Sequence, residues 1–391
     1  MSQILQKRYE NQFVSYIRTF KLSSIYPCCF RMKTLKLISI MILSGALYSC
    51  VSEFRNQKPE KFKTKGDIYK ILHFASLAGS SHNSQPWRVE VMGNHLIKLY
   101  ADTTRELSVV DPNRRELYIS LGAFIENLTL AAGSYGYQTD LVPNNALSTN
   151  DPVAEITLKG ATPTGYDLTL IEKRRTLRTP FKTTSINESD VIQMLALDPL
   201  NIRFISASSD EGKFVAQKTI EAYSQQAYNR AAQTELAKWL RFSDYDVKVK
   251  KDGLTTAGMQ IEGVSGFFAR HYLKPKDSKK ESFINGGIEK TKKQALDCGG
   301  WMIITSNGNS VADWINTGRL YQHIHLICTQ LKIGFQPMNQ IVEEEKFKKE
   351  VIRRLKINEE FQFVVRIGYV DKIPAPVSPR RPIEDFTHFN P

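Results

Sequence analysis

The chain has 391 residues, 41% of them hydrophobic, and a formal charge of +13, of which residues 1–49 carry +6 and residues 50–391 carry +7. That length can bury a substantial core, as one large domain or as two fused halves. Its basic residues alternate with acidic ones, as in EEEKFKKEVIRRLK, which reads as a solvated helix face and excludes the basic–aromatic stripe of a nucleic-acid binder.

In chain order, the segment from Met32 reads MKTLKLISIMILSGALYSC, two lysines before an apolar run too short to span a bilayer comfortably, closing on Cys50. Met32 reads as the start of a signal, and residues 1–31 as a leader. A polar tether covers residues 50–64. A helix is expected to follow to Gly79, then the loop SSHNSQPW, then one alternating strand, RVEVMGNHLIKLYAD. A long amphipathic helix ends at Gly136, and AEITLKG reads as a strand. Helices are expected over 168–173, 188–197 and 210–240, with the strand NIRFISA between the last two. Residues 243–287 are irregular, Gly-rich and charged, long enough for a covering lid. WMIITS (strand), 311–332 (helix) and FQFVVRIGYV (strand) complete an α+β pattern. A faint echo, Leu, seven residues, Gly and an aromatic, links Leu128–Tyr137 with Leu326–Phe335. A glycine closing a helix would give as much.

Of five cysteines, Cys28 and Cys29 fall in the leader; Cys298 and Cys328 can pair or stay as thiols. His323 and His325, two apart on a helix, point to different sides, so no metal site is expected.

Ser80–Trp87 offers hydroxyls, two amides and an indole where a turn needs none of them. Such groups suit the alternating donors and acceptors of a flat heterocycle. Trp87 reads as core packing that fixes the loop, and His82 as a cap or a neighbour of the site. Arg174-Arg175-Thr176-Leu177-Arg178-Thr179-Pro180-Phe181 is by itself a basic cluster of the kind that helix ends usually present to solvent.

These segments carry a resemblance. SSHNSQPW resembles the Ser-Ser-x-Asn-x-Gln-Pro-Trp loop of the nitroreductase-like FMN oxidoreductases. Residues 174–181 are similar to that family's Arg-x-Ser/Thr-x-Arg-x-Phe segment. The end of the chain, RIGY and then Arg380-Arg381-Pro382-Ile383-Glu384, resembles its terminal Arg-x-Pro-Leu-Glu. The resemblance implies FMN, held at its ring by Ser80, Ser81, Asn83 and Gln85 and at its phosphate by Arg174, Arg175, Thr176, Arg178 and Arg380. Pro337 and Asn339 would lie near the flavin, where Phe335–Gln340 lacks the family's Pro-x-x-Gly glycine. No catalytic side chain is implied. In the family the phosphate segment comes first; here it follows the loop by 174 − 80 = 94 residues. The order resembles the Acg-like branch, and implies two fused halves, 65–160 and 161–386, sharing one composite site as an intramolecular pseudo-dimer. A monomeric FMN-dependent oxidoreductase passing electrons to a small acceptor is the implied function; a flavin-storing protein is the alternative. Leu47–Cys50 resembles a bacterial lipobox, implying a lipid anchor at Cys50, a cell-envelope location, and a membrane quinol or redox protein as electron donor. An ordinary signal peptide or a short membrane anchor would read similarly.

Overall fold

The computed structural model describes residue 62 and residues 65–144 and 150–390, all within a unit running Cys50–Pro391. The leader, the apolar run, Cys50 and all of the tether but Phe62 lie outside the described residues. Among those described, no helix is long and apolar enough to cross a membrane.

Helix α1 (Asp67–Ser76) stops three residues short of Gly79. The expected single strand is a hairpin, β1 (Trp87–Met92) and β2 (Leu96–Ala101), turned where Gly93 takes φ +57°. Helix α2 (Arg115–Ser134) follows. Strand β3 (Tyr137–Pro143) escaped the sequence reading because no residue in it is fully buried, so no apolar alternation marks it; β4 (Ala154–Gly160) matches its expectation. Two short helices, α3 (Thr169–Lys173) and α4 (Glu188–Leu195), lead to β5 (Ile202–Ser206). The stretch expected as one helix is two, α5 (Asp210–Tyr228) and α6 (Arg230–Trp239). Asn229 makes the break, since its side chain accepts from the backbone N–H of Ala231 and Ala232 and so caps α6.

The segment 243–287 is not irregular. It holds the short strand β7 (Leu254–Thr255), paired with β6 (Leu240–Arg241), together with α7 (Asp244–Lys250), α8 (Gly263–Tyr272) and the start of α9 (Glu281–Leu296). Its glycines mark the joints, Gly253 and Gly263 both at positive φ, and Ser243 caps α7. The remaining elements are β8 (Gly300–Ser306), α10 (Val311–Gln330), β9 (Ile333–Pro337), α11 (Gln340–Glu343), α12 (Glu345–Leu355), β10 (Glu360–Tyr369) and β11 (Thr387–Asn390).

Besides the β6-β7 pair, two larger sheets form among the described residues, ordered β11-β1-β2-β4-β3 and β5-β8-β10-β9. Apart from β11, which runs parallel to β1, every neighbouring pair in them is antiparallel. Leaving out β11, which has no counterpart, β1-β2-β4-β3 matches β5-β8-β10-β9 strand for strand, with α5–α9 inserted between the paired strands β5 and β8. Helices α2 and α10 pack across Gly122 and Gly318. A Cβ on Gly122 would lie 2.0 Å from the Ile315 carbonyl oxygen, and one on Gly318 would lie 1.9 Å from that of Ile119. The two contacts exchange under one offset (318 − 122 = 315 − 119 = 196). The same offset relates Tyr118 to Trp314, whose rings stack at 5.7 Å, and exchanges the Gln322–Asn127 hydrogen bond with the His323–Glu126 one, both 2.8 Å. It also pairs Gly136 with Lys332, both at positive φ, so the Gly136–Gly334 echo read from sequence is two residues out of register.

Trp87 is fully buried between Phe124 and Phe386. Cys298 and Cys328 are buried free thiols in separate hydrophobic clusters, so they form no disulfide.

Candidate functional site

The loop after α1 is held in an unusual backbone conformation: His82, Asn83 and Gln85 have φ of 50°, 53° and 55°. Non-glycine residues rarely adopt this left-handed region, and such strain persists only where the surroundings over-determine it. The surroundings here are specific. Ser80 Oγ accepts from Gln85 N at 3.0 Å, Ser120 Oγ accepts from Ser81 N at 3.2 Å, and Gly253 N donates to Asn83 O at 3.1 Å.

The loop forms one wall of a cavity of about 950 Å³, the size of a cofactor site. Ser80, Ser81, His82 and Asn83 line it from the loop, Arg174, Thr176 and Arg178 from the segment after α3, Pro337 and Asn339 after β9, and Arg380 near the C-terminus. Nine of the eleven site residues expected from sequence therefore meet around one space. Residues 253–255 and 258–262 and α9 also line this space, so part of the expected lid does face the cavity.

The other two, Gln85 and Arg175, do not line the cavity. Gln85 is fully buried behind the loop, donating to Lys251 O at 2.9 Å and accepting from Arg381 N at 2.8 Å. Arg175 turns away from the cavity to donate to the carbonyls of Ala375 (2.7 Å) and Ala257 (3.4 Å). Both hold the wall together and do not line it.

The three guanidiniums differ in availability. Arg380 uses five donor bonds within the protein, to the carbonyls of Ser76, Leu77, Ala78 and Pro379 and to Asn83 Oδ1. It thereby satisfies the open carbonyls that follow α1 and orients Asn83, leaving the cavity its charge but no N–H. Arg174 bonds His325 and Leu77 O, yet its buried Nε has no partner among the described residues. Arg178 donates Nη1 to Gly258 O at 2.8 Å. Lys290 reaches the same space, and burial, then the neighbouring Arg178, holds its pKa down to about 8. Unpartnered buried cationic N–H groups call for an anion.

Beside the loop, Glu116 and Glu343 line the same cavity, a pair the sequence did not disclose. Glu116 accepts from Ser81 Oγ at 2.5 Å and from Asn339 Nδ2, and hydrogen-bonds Glu343, whose other partner is Gln226 at 2.6 Å. Burial, then the Glu116 charge, raises the Glu343 pKa well above 4.5. The pair comes from helices 227 residues apart in sequence (343 − 116), and no spacing signals it. Because the folded state holds the Glu343 proton more tightly than the unfolded chain does, stability should fall as pH rises above the ordinary carboxylate range. Glu343→Gln should therefore gain stability relative to the parent between pH 5 and pH 8 in urea unfolding; a pH-independent difference would contradict the raised Glu343 pKa. His82 Nδ1 is likewise buried without a partner among the described residues, and burial lowers that imidazole's pKa.

No protein-family model matches the chain. Over 343 residues it is 24% identical to the acg protein of Mycobacterium tuberculosis, whose name assigns it to the NAD(P)H nitroreductases; the match covers 84% of this chain and 98% of that one. The chain's helices and two largely antiparallel sheets make an α+β fold. PigM of Serratia, likewise named an NAD(P)H nitroreductase, is 29% identical over 138 residues, 33% of this chain and 38% of its own. Among solved structures, the FMN-dependent nitroreductase NfnB of Mycobacterium smegmatis matches 57% of this chain and 96% of its own, at 14% identity and a TM-score of 0.35. A protein of Anabaena variabilis that is named as a nitroreductase matches 82% of this chain and 91% of its own, at 12% identity and a TM-score of 0.32. Likenesses that slight say nothing about the site.

Proposed function

We propose that the cavity takes FMN and that the protein is an FMN-dependent oxidoreductase acting on a small acceptor. The observation that carries this reading is the convergence of four distant stretches, each quoted for its residue types, on one cavity where a buried Arg174 Nε has no partner among the described residues. Arg174, Arg178 and Thr176 would hold the phosphate, with Arg380 adding charge. Ser80, Ser81, Asn83, Pro337 and Asn339 would border the ring. When bound, FMN supplies the hydride chemistry; the protein binds, orients and tunes it.

We also propose that the chain is an intramolecular pseudo-dimer. The matching strand orders and the reciprocal contacts of α2 and α10 support this. A second hollow, about 370 Å³, lies beyond the α4–β5 turn as the first lies beyond the α1–β1 loop. It is lined by Glu126, Asp198 and Asp313, and Glu126 already holds its one arginine, Arg319, at 3.0 Å. Such a hollow offers a phosphate no grip, so one FMN per chain is expected, without a second subunit. Lipidation at Cys50, an envelope location and a quinol or redox-protein donor belong to the same proposal, supported by the Leu47–Cys50 segment.

The test is the visible spectrum of the purified chain. Flavin bands that bleach on reduction support the reading, and a colourless protein that takes up no FMN ends it. FMN affinity should also weaken between pH 7 and pH 9, because Lys290 loses its charge through about pH 8 and with it part of the attraction for the phosphate. A pH-independent dissociation constant would remove Lys290 from the site.

A further inference from the structure

The outer face of α8 carries a cluster of exposed rings. Val264, Phe268 and Tyr272, four residues apart along one stripe, are 70%, 55% and 67% exposed, and Phe267 is 40% exposed. The rings touch one another: Phe267 stacks on His271 at 4.2 Å, and Phe268 meets Tyr272 at 5.6 Å. The inner face is small, Gly266 and Ala269, both buried. A contiguous exposed apolar face of this kind implies an occupant.

Charge decides which occupant. Residues 262–280 hold five Lys or Arg against two acidic residues, a net +3. Lys274, Lys276, Lys279 and Lys280, directly after the helix, are all exposed. One of the two acids, Asp277, is buried and already engaged by Lys280 at 2.8 Å. Aromatic rings flanked by basic side chains are the composition of a helix lying in the headgroup layer of an anionic bilayer. There the rings enter the acyl boundary and the lysines reach the phosphates. A second copy of the same basic face would instead meet like charge.

We propose that α8 docks on an anionic lipid surface through Val264, Phe267, Phe268 and Tyr272. The adjoining Ile261, Glu262, Ser265 and Leu273 line the large cavity, so docking brings that cavity's wall within about one helix diameter, roughly 10 Å, of lipid. The inference stands on exposure and charge and does not depend on the cofactor.

An anchored chain would be found on membranes whatever α8 does, so the test must be local. In the full chain, Phe268→Trp adds one indole at the proposed contact; its emission is read against the parent in vesicles with brominated acyl chains. Loss of the added emission on phosphatidylglycerol vesicles, with recovery on phosphatidylcholine vesicles and in high salt, is the expected result. Unquenched emission from chains that co-sediment with the phosphatidylglycerol vesicles would overturn the proposal. So would a dimer in solution that Phe268→Asp dissociates, since that would give the face to a protein partner.

Discussion

Gly122→Ala should destabilise the protein by roughly 2–4 kcal/mol, measured as a fall in the urea midpoint with unchanged slope. Helix propensity alone favours alanine by about 1 kcal/mol, so the sign of the effect tests the packing. A Cβ there would stand 2.0 Å from the Ile315 carbonyl and 2.9 Å from Gly318 Cα, both backbone atoms that cannot move aside alone. The two central helices would have to separate. Gly318→Ala, 1.9 Å from the Ile119 carbonyl, should cost about as much, because its contact is the reciprocal one. Gly286→Ala serves as the control: nothing lies within 4 Å of its Cβ, so it should stabilise by about 0.5–1 kcal/mol. Equal stability of parent and Gly122→Ala would mean the helices do not cross at the glycines.

Arg178→Ala should weaken FMN roughly tenfold to a hundredfold, the loss of one charge-assisted contact worth about 1.5–3 kcal/mol. Among the described residues its side chain makes one hydrogen bond, to Gly258 O, so folding should survive and the effect should appear in binding. Arg380→Ala would be a poor probe of the same idea. Removing it strips the carbonyls of Ser76 and Ala78 of their donor, leaves that of Leu77 to Arg174 alone and takes the donor from Asn83 Oδ1, so it should lower stability first. An Arg178→Ala protein that binds FMN as the parent does would remove the phosphate grip from this segment.

The elements legible in the sequence were those with strong periodicity and punctuation: α2, α10 and β10 each bury nearly a whole face or more. Those missed had neither. Strand β3 is only partly buried, and β11 is four polar-flanked residues whose pairing with β1 is made across some 300 positions. The covering helices were hidden because α8 exposes its apolar face and buries Gly266 and Ala269, the reverse of the pattern that reveals an amphipathic helix. Site residues were legible by type but not by direction. The motif that contains Arg174 and Arg178 also contains Arg175, and nothing local says that Arg175 turns to Ala375. Gln85 looked like a ring ligand because it sits in the loop; only the fold shows Arg381 and Lys251 taking its amide. The Glu116–Glu343 contact is purely tertiary and left no trace in the sequence.

The claim that one composite site per chain holds the cofactor is tested most directly by counting. Equilibrium dialysis of the flavin-stripped full chain against FMN, with protein mass measured independently, gives the number of sites without any assumption about turnover. One FMN per chain, on a species sedimenting as a monomer, is the predicted result. Two per chain would show that the hollow around Glu126 and Arg319 also binds, and none, or one per two chains, would contradict the composite site itself.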